Sequence, residues 1–126
     1  MSTAAKPITT LADLNNTNVV KVVFSRTGKA MYFSRAAIPH NVTKDTSKGD
    51  SVSAWHHIGI YAYRANYLRH YHKLVPSVLE QSERLEQLRV LDNGDTIMVE
   101  AVDYDVGLGV DTQEDLDYVR NVFSSR

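Results

Sequence analysis

The chain contains no cysteine, which excludes disulfide bonds, thiolate metal sites and cysteine nucleophiles. It also has no apolar run long enough to span a membrane and no signal-peptide core after Met1. We therefore expect a soluble, cytoplasmic protein with no membrane partner. The formal net charge is only −1, so no overall basic field predicts binding to nucleic acid.

Several motifs that mark complete catalytic sites are missing as well. The sequence lacks the nucleophile motif G-x-S-x-G, the phosphate loop G-x-x-x-x-G-K-S/T, the dinucleotide fingerprint G-x-G-x-x-G and the zinc motif H-E-x-x-H. No residue is therefore predicted to be catalytic. What is present is a chain of 126 residues, of which 43% are hydrophobic and 23% charged, enough for one globular domain with a core.

Strand and helix patterns follow an N-terminal segment that shows neither. Residues 1–18, rich in Ser, Thr, Ala and Asn, are interpreted as an arm or as an internal edge of a larger domain. Two β-branched and aromatic runs flank the turn signal Thr27-Gly28-Lys29 and predict a β-hairpin. The predicted elements are strands at 19–24 and 30–34, a buried strand at 55–63, helices at 64–74 and 77–91, a strand at 96–102 and a helix at 113–123. The fold class is therefore α/β or α+β with a mixed sheet.

Residues 77–91 predict one long helix that is apolar on nearly all sides. Ser77 and Glu80 match the capping box S-x-x-E, in which a hydroxyl and a carboxylate satisfy two free backbone amides. Asn93-Gly94 is a typical helix stop. The segment is the most strongly patterned part of the chain, and we expect the functional residues within it.

Glu86 is the unusual residue of this predicted helix. On a continuous helix it would lie between two apolar arcs, where an ionised carboxylate without a partner is costly. Spacing alone allows an ion pair with Arg89, three residues on, about as readily as contact with a ligand. In the second case Glu86 and Gln87 would supply a carboxylate acceptor and an amide, which suit recognition of sugar hydroxyls.

Two further sets of residues have both a structural and a functional interpretation. Adjacent residues of a strand face opposite sides, so one of His56 and His57 points inward, and Tyr61 shares the face of His57. A hydrogen-bonded core histidine and a stacked aromatic are the commoner roles. Asp111 precedes the predicted cap Thr112 and lies in a C-terminal third that is rich in acids, so it can cap the helix or bind a cation; taken alone, capping is favoured.

Four segments, in this order and at matching spacing, resemble the 3-deoxy-D-manno-octulosonate (Kdo) cytidylyltransferase family. They are Y-F-S-R-A-A-I-P (32–39), H-I-G-I-Y-A-Y-R (57–64), L-E-Q-L-R-V-L (85–91) and G-V-D-T-Q-E-D-L (109–116). The resemblance implies a mixed-sheet, nucleotide-diphospho-sugar transferase-like (Rossmann-like) fold. It also implies an enzyme that joins Kdo to CMP from CTP, releasing pyrophosphate, for lipopolysaccharide biosynthesis.

The resemblance assigns roles to five residues. His57, Tyr61, Glu86 and Gln87 correspond to contacts with Kdo, and Asp111 corresponds to a ligand of Mg²⁺. The hairpin together with residues 32–39 corresponds to a dimer-forming region, so a homodimer is expected.

The resemblance covers only the C-terminal half of the family. Residues 1–18 would then be an arm or internal edge of the parent domain, and 19–126 its sugar-binding and dimerisation part, inactive without the nucleotide-binding half. Two alternatives remain open: a non-catalytic dimeric interaction module that retains the fold, and a cytidylyltransferase for a related sugar such as 8-amino-Kdo.

Overall fold

The computed structural model describes residues 1–40, 54–103, 110 and 112–124, and the structural statements below concern these residues. Its elements in chain order are β1 (Ser2–Pro7), α1 (Leu11–Asn15), β2 (Lys21–Phe24), β3 (Ala30–Ser34), β4 (Trp55–Ala62), α2 (Ala65–Tyr71), α3 (Val78–Glu83), α4 (Leu88–Asp92), β5 (Met98–Ala101) and α5 (Gln113–Ser124).

The five strands form one mixed sheet in the order β3-β2-β4-β1-β5. The β1–β5 pair is parallel, and the β1–β4, β2–β3 and β2–β4 pairs are antiparallel. The predicted mixed sheet is thus confirmed, and so is the hairpin of β2 and β3. The hairpin turn folds back onto β5, where the Val99 amide donates to the Gly28 carbonyl over 2.7 Å. Gly28 has a φ of +80°, and a Cβ there would lie 3.2 Å from the Val99 carbonyl oxygen, so glycine suits this close approach.

The N-terminal segment, for which the sequence predicted no strand or helix, contains a strand. Ser2–Pro7 forms β1, which lies between β4 and β5 and pairs with both. Ala5 is fully buried, and Thr3 is 6% exposed. Small residues have weak strand propensity, so the pairing with two neighbours, and not local sequence, makes this segment a strand. Beyond it, Ile8 and Leu14 form a small second cluster with Ala54.

Strand β4 is present as predicted, but it is not buried along its length. Of its eight residues only His57 is buried, and Ile60 is 66% exposed. Strand β2 pairs with β4 only at Trp55 and His56. Within the described part of the chain, the remaining length of β4 therefore has a neighbouring strand on one side alone.

The main core lies between the sheet and the segment from Leu85 through helix α4, whereas α3 has no buried residue. Nine buried residues make up this cluster: Ala5, Val22, Phe33, Leu74, Leu85, Leu88, Val90, Ile97 and Val99. Helix α2 contributes no fully buried side chain, although Tyr67 and Tyr71 pack against the cluster. No helix in the described ranges combines the length and the apolar character needed to cross a bilayer.

The single helix predicted for residues 77–91 is wrong. Helix α3 ends at Glu83, Arg84 adopts a left-handed conformation with φ 54° and ψ 48°, and α4 begins only at Leu88. The predicted start is confirmed, because Ser77 accepts from the Glu80 amide and Glu80 accepts from the Ser77 amide. The predicted stop is also confirmed, with Gly94 at φ +81° after α4. The expectation that Glu86 lies between two apolar arcs of a continuous helix therefore does not apply.

Candidate functional site

A pocket of about 220 Å³ lies where the end of β4 meets the turn between α3 and α4. Its lining residues are Met1, Tyr61, Tyr63, Tyr71, Arg84, Leu85, Glu86 and Gln87. Three of the four residues predicted to contact a sugar, namely Tyr61, Glu86 and Gln87, are therefore brought together. They come from parts of the chain more than twenty residues apart, and the break after α3 puts them on one cavity.

Tyr61 lines the pocket and is held among other aromatic rings. Its ring centroid lies 5.4 Å from that of His57 and 6.2 Å from that of Tyr63. Burial raises the pKa of Tyr61, and the neighbouring Tyr63, Tyr71 and Glu86 raise it further. The phenol therefore stays protonated at neutral pH and can donate a hydrogen bond to an acceptor in the pocket.

His57 lies behind Tyr61 and does not line the pocket. Its Nε2 is 3.0 Å from the Thr3 hydroxyl, which also lies 2.7 Å from the Ile60 carbonyl and 3.1 Å from the Ile58 carbonyl. A hydroxyl close to two carbonyls donates to one of them, so it accepts from His57, whose Nε2 must carry the proton. Burial, with a smaller contribution from His56, lowers the pKa of His57 to about 4. His57 is thus a neutral support for Tyr61, and its direct contact with a sugar stays a prediction.

Glu86 and Gln87 belong to the turn before α4 and differ in exposure. Glu86 is exposed, so the expected carboxylate inside an apolar arc does not occur. The proposed ion pair of Glu86 with Arg89 is not formed either, because Arg89 binds Glu80 through two hydrogen bonds of 2.6 and 2.8 Å. Gln87 is 5% exposed and reaches the pocket from its inner side. The pocket thus offers one solvated carboxylate and one largely buried amide.

Sequence reasoning missed part of the pocket lining. Tyr63 and Tyr71, whose ring centroids are 6.0 Å apart, form an aromatic side of the cavity. Arg84 lines the pocket as well, so that one cationic and one anionic residue, Arg84 and Glu86, border it. Tyr71 also faces Arg89, whose guanidinium carbon lies 5.9 Å from the ring centroid. Arg84 carries no sequence signal for this role, since on a continuous helix it would have pointed elsewhere.

The Glu80–Arg89 pair joins the first turn of α3 to α4 close to this aromatic side. Its side chains are 12% and 23% exposed, respectively. The hydrogen bonds from Arg89 lower the pKa of Glu80, and those to Glu80 raise the pKa of Arg89. The pair is a structural tie between the two short helices, consistent with the geometry of a bidentate carboxylate contact.

A second, larger cavity of about 730 Å³ lies around the hairpin turn and the ends of β1, β4 and β5. Its lining combines small residues with several larger apolar ones, and its charged residues are Arg26 and Glu100. Tyr61 borders this cavity too, but none of the other predicted site residues does. The smaller pocket is therefore the better candidate for a specific site.

Asp111, the predicted magnesium ligand, lies outside the described residues. Within the described ranges no group of three or more His, Asp or Glu side chains could hold a metal ion. The capping by Thr112 is confirmed, because its hydroxyl accepts from the Asp115 amide and Asp115 accepts from the Thr112 amide. Magnesium binding by Asp111 therefore stays a prediction.

Residues 1–97 match the family model described as cytidylyltransferase. The chain belongs to the cytidylyltransferase family. It is 48% identical over 124 residues to the 3-deoxy-manno-octulosonate cytidylyltransferase of Polynucleobacter necessarius subsp. necessarius (strain STIR1), covering 98% of this chain and 48% of the relative. It is 46% identical over 128 residues to the enzyme of that name from Yersinia enterocolitica, covering 100% of this chain and 51% of the relative. The cytidylyltransferase chain thus spans about half the length of the curated relatives it matches.

A solved structure supports the same fold. The structure of CMP:2-keto-3-deoxy-manno-octonic acid synthetase complexed with CTP matches with a TM-score of 0.82 and 36% sequence identity. The match covers 98% of this cytidylyltransferase chain and 48% of that chain. The predicted nucleotide-diphospho-sugar transferase-like fold is therefore confirmed.

Proposed function

We propose that this chain forms the sugar-binding part of an enzyme that transfers CMP from CTP to Kdo for lipopolysaccharide biosynthesis. The observation that carries the proposal is the single pocket in which Tyr61, Glu86 and Gln87 converge. The names and the 44–48% identities of the relatives support the same substrate class. Because those relatives are about twice as long, the activity requires a nucleotide-binding part of the kind they contain.

The pocket chemistry suits a sugar acid. Glu86 can accept hydrogen bonds from sugar hydroxyls, while the Gln87 amide can donate as well as accept. The Tyr61 phenol is a donor, since its raised pKa keeps it protonated. Arg84 supplies the positive charge that the carboxylate of Kdo requires, and Tyr63 and Tyr71 offer apolar faces to the ring carbons.

The reaction that these contacts serve is a phosphoryl-type transfer. The anomeric hydroxyl of Kdo attacks the α-phosphate of CTP, a new P–O bond forms, and pyrophosphate leaves. In this reaction the described residues bind and orient the sugar, and none of them is assigned a role in the chemical step. Orientation alone contributes strongly to such transfers.

Magnesium, the homodimer and the cytoplasmic location are parts of the same proposal. Mg²⁺ would neutralise the phosphates, with Asp111 as one ligand. The homodimer would form through the hairpin, where Met31 on β3 is 67% exposed. Light scattering of the chain and of Met31→Asp tests the dimer: the substitution should lower the mass from dimer to monomer.

A fusion enzyme tests the proposal directly. The N-terminal half of the Polynucleobacter relative, joined ahead of this chain where the match begins, should release pyrophosphate from CTP only when Kdo is added. The relative with its own C-terminal half is the positive control, and the fusion carrying Asp111→Asn should need more Mg²⁺.

The outcome also separates the alternatives. A folded fusion that prefers 8-amino-Kdo to Kdo would change the substrate assignment to the related sugar. A folded fusion that binds neither sugar would contradict the proposal and favour the interaction module.

A further inference from the structure

The turn between α3 and α4 depends on a conformation that its sequence does not favour. Arg84 has φ 54°, a region in which a side chain with a Cβ is disfavoured. The Leu85 amide donates to the Glu80 carbonyl over 3.2 Å, the hydrogen bond of a helix C-terminus closed by a left-handed residue. Glycine usually occupies that position, so contacts from elsewhere must hold Arg84 there.

Glu83, immediately before Arg84, makes those contacts with the end of β3. Its carboxylate accepts from the Ser34 hydroxyl at 2.6 Å, from the Arg35 amide at 2.9 Å and from the Tyr32 hydroxyl at 3.5 Å. The Arg35 Nε donates to the Glu83 backbone carbonyl over 2.9 Å. Both the side chain and the backbone of Glu83 are therefore fixed to β3, a strand about fifty residues earlier in the chain.

The end of β3 is itself held in place by the buried amine of Lys21. Lys21 is fully buried, and its Nζ donates to the Arg35 carbonyl at 2.6 Å, the Val19 carbonyl at 2.6 Å and the Asn16 carbonyl at 2.9 Å. Arg35 also donates to the Thr17 carbonyl over 3.1 Å. A continuous set of hydrogen bonds thus runs from the hairpin base to Glu83.

We propose that Glu83 is a positioning residue, which holds the Arg84 turn through β3 and so sets Arg84, Glu86 and Gln87 towards the pocket. The inference rests on the proposed sugar-binding function and adds a residue that lies outside the pocket lining. Without these bonds residues 77–91 would extend as the continuous helix that their sequence favours, and Glu86 would leave the cavity.

Two variants of this chain test the proposal. Glu83→Gln replaces one acceptor oxygen with a donor that faces the Arg35 amide or the Ser34 hydroxyl, and Ser34→Ala removes one hydrogen bond without a change of charge. We expect faster hydrogen exchange of the Leu85 amide and a Kdo affinity about tenfold weaker for Glu83→Gln, with smaller changes in the same direction for Ser34→Ala. NMR measures exchange and Kdo titration in the same samples. Ser34→Ala is the milder change. If Glu83→Gln does not fold, the Leu85 exchange and the Kdo affinity of Ser34→Ala test the proposal.

Ser77→Ala is the matched control, because it weakens the other end of α3 and because Ser77 neither belongs to the turn nor lines the pocket. When Ser77→Ala lowers the Tm about as much as Glu83→Gln does, its Kdo affinity should be unchanged. The rate of Leu85 amide exchange, taken relative to other core amides, should be unchanged too. Equal loss of Kdo affinity in Ser77→Ala and Glu83→Gln would overturn the proposal. Unchanged hydrogen exchange of the Leu85 amide in both Glu83→Gln and Ser34→Ala would overturn it too. If the unmodified chain binds no Kdo, the proposed function fails, while the exchange data still decide whether Glu83 holds the turn.

Discussion

The two sides of the pocket are held in place by different means. The β4 side, with Tyr61 in front of His57, belongs to a strand that pairs with β1 on both sides of a register shift between Ile58 and Tyr61. The opposite side, residues 84–87, is a turn without regular structure. It is fixed by the hydrogen bonds of Glu83 to the end of β3 and by the burial of Leu85. The strand side is held mainly by backbone pairing with β1, whereas the turn side is held by a few side chains.

This difference indicates where each side should be sensitive to change. A strand side tolerates local substitutions, because its ladder hydrogen bonds are made by the backbone. A turn side depends on a few named side chains, so each of them should have a large and specific effect. The following predictions test that contrast from the largest expected effect to the smallest.

Leu85→Ala should destabilise the protein most, because Leu85 is 6% exposed and anchors the turn in the main core. Removal of a buried leucine side chain lowers the free energy of unfolding by about 2–5 kcal/mol. Urea denaturation measures it. Leu68→Ala on α2, where the side chain is 54% exposed, is the matched control and should change stability by less than about 0.5 kcal/mol. Equal effects of the two substitutions would show that the turn is not anchored by Leu85.

Lowering the pH should reduce the stability of the protein through protonation of His57 on the strand side of the pocket. Burial, followed by the charge of His56, lowers the pKa of His57 to about 4, while an unfolded histidine has a pKa of about 6.5. The unfolded chain therefore takes up a proton first, and stability should fall as the pH drops from about 6.5 to about 4. The total loss from this group is up to about 3 kcal/mol.

The comparison with His57→Gln isolates that contribution. Unfolding free energies measured from pH 7.5 to pH 4 should fall less steeply for the variant, which has no group to titrate at this position. Parallel pH profiles of the two proteins would contradict the assignment of the acid sensitivity to His57.

Glu86→Gln should weaken Kdo binding without affecting stability, since Glu86 is exposed and lies in the pocket lining. Loss of a charged acceptor corresponds to about 1.5–3 kcal/mol, or tenfold or more in affinity. Calorimetric titration with Kdo measures it. Glu114→Gln on α5 changes the net charge equally and should bind as the unmodified chain does. Unchanged affinity in Glu86→Gln would remove Glu86 from the site.

Ser77→Ala should have the smallest effect, a loss of about 1 kcal/mol in unfolding free energy from the missing helix cap. Ser77 does not line the pocket, so the Kdo affinity of the folded protein should not change. Thermal unfolding and Kdo titration of one preparation test both statements. A Kdo affinity that falls with the cap would mean that the whole of α3, and not its end alone, positions the turn.

The parts of the fold that sequence predicted are those with local signals. The Thr27-Gly28-Lys29 turn between β-branched runs predicted the hairpin, and Ser77 with Glu80 predicted the start of α3. Strand β1 was missed because its small residues carry little strand propensity and its identity depends on β4 and β5.

The break at Arg84 was missed for a physical reason of the same kind. Residues 78–91 contain no glycine or proline, and arginine is a good helix former, so local propensity favours continuation. The hydrogen bonds of Glu83 to β3 and the burial of Leu85 override it. The helical pattern marked Glu86 and Gln87 as possible sugar contacts but left an ion pair with Arg89 equally open, and the family resemblance assigned them, with Tyr61, to Kdo. Arg84 and Glu83, which depend on the break, were not found at all.

The three carbonyl contacts of Lys21 have a consequence for chemical labelling. Amine-reactive reagents need access to the lone pair of a neutral amine, and Lys21 is 0% exposed, whereas Lys29 and Lys73 are exposed. In the native protein the exposed lysines should therefore acquire label long before Lys21. The rate at which Lys21 is modified, measured by mass spectrometry, would then report how often the base of the β2–β3 hairpin opens. The faster labelling of the exposed lysines would be measured separately in the same experiment.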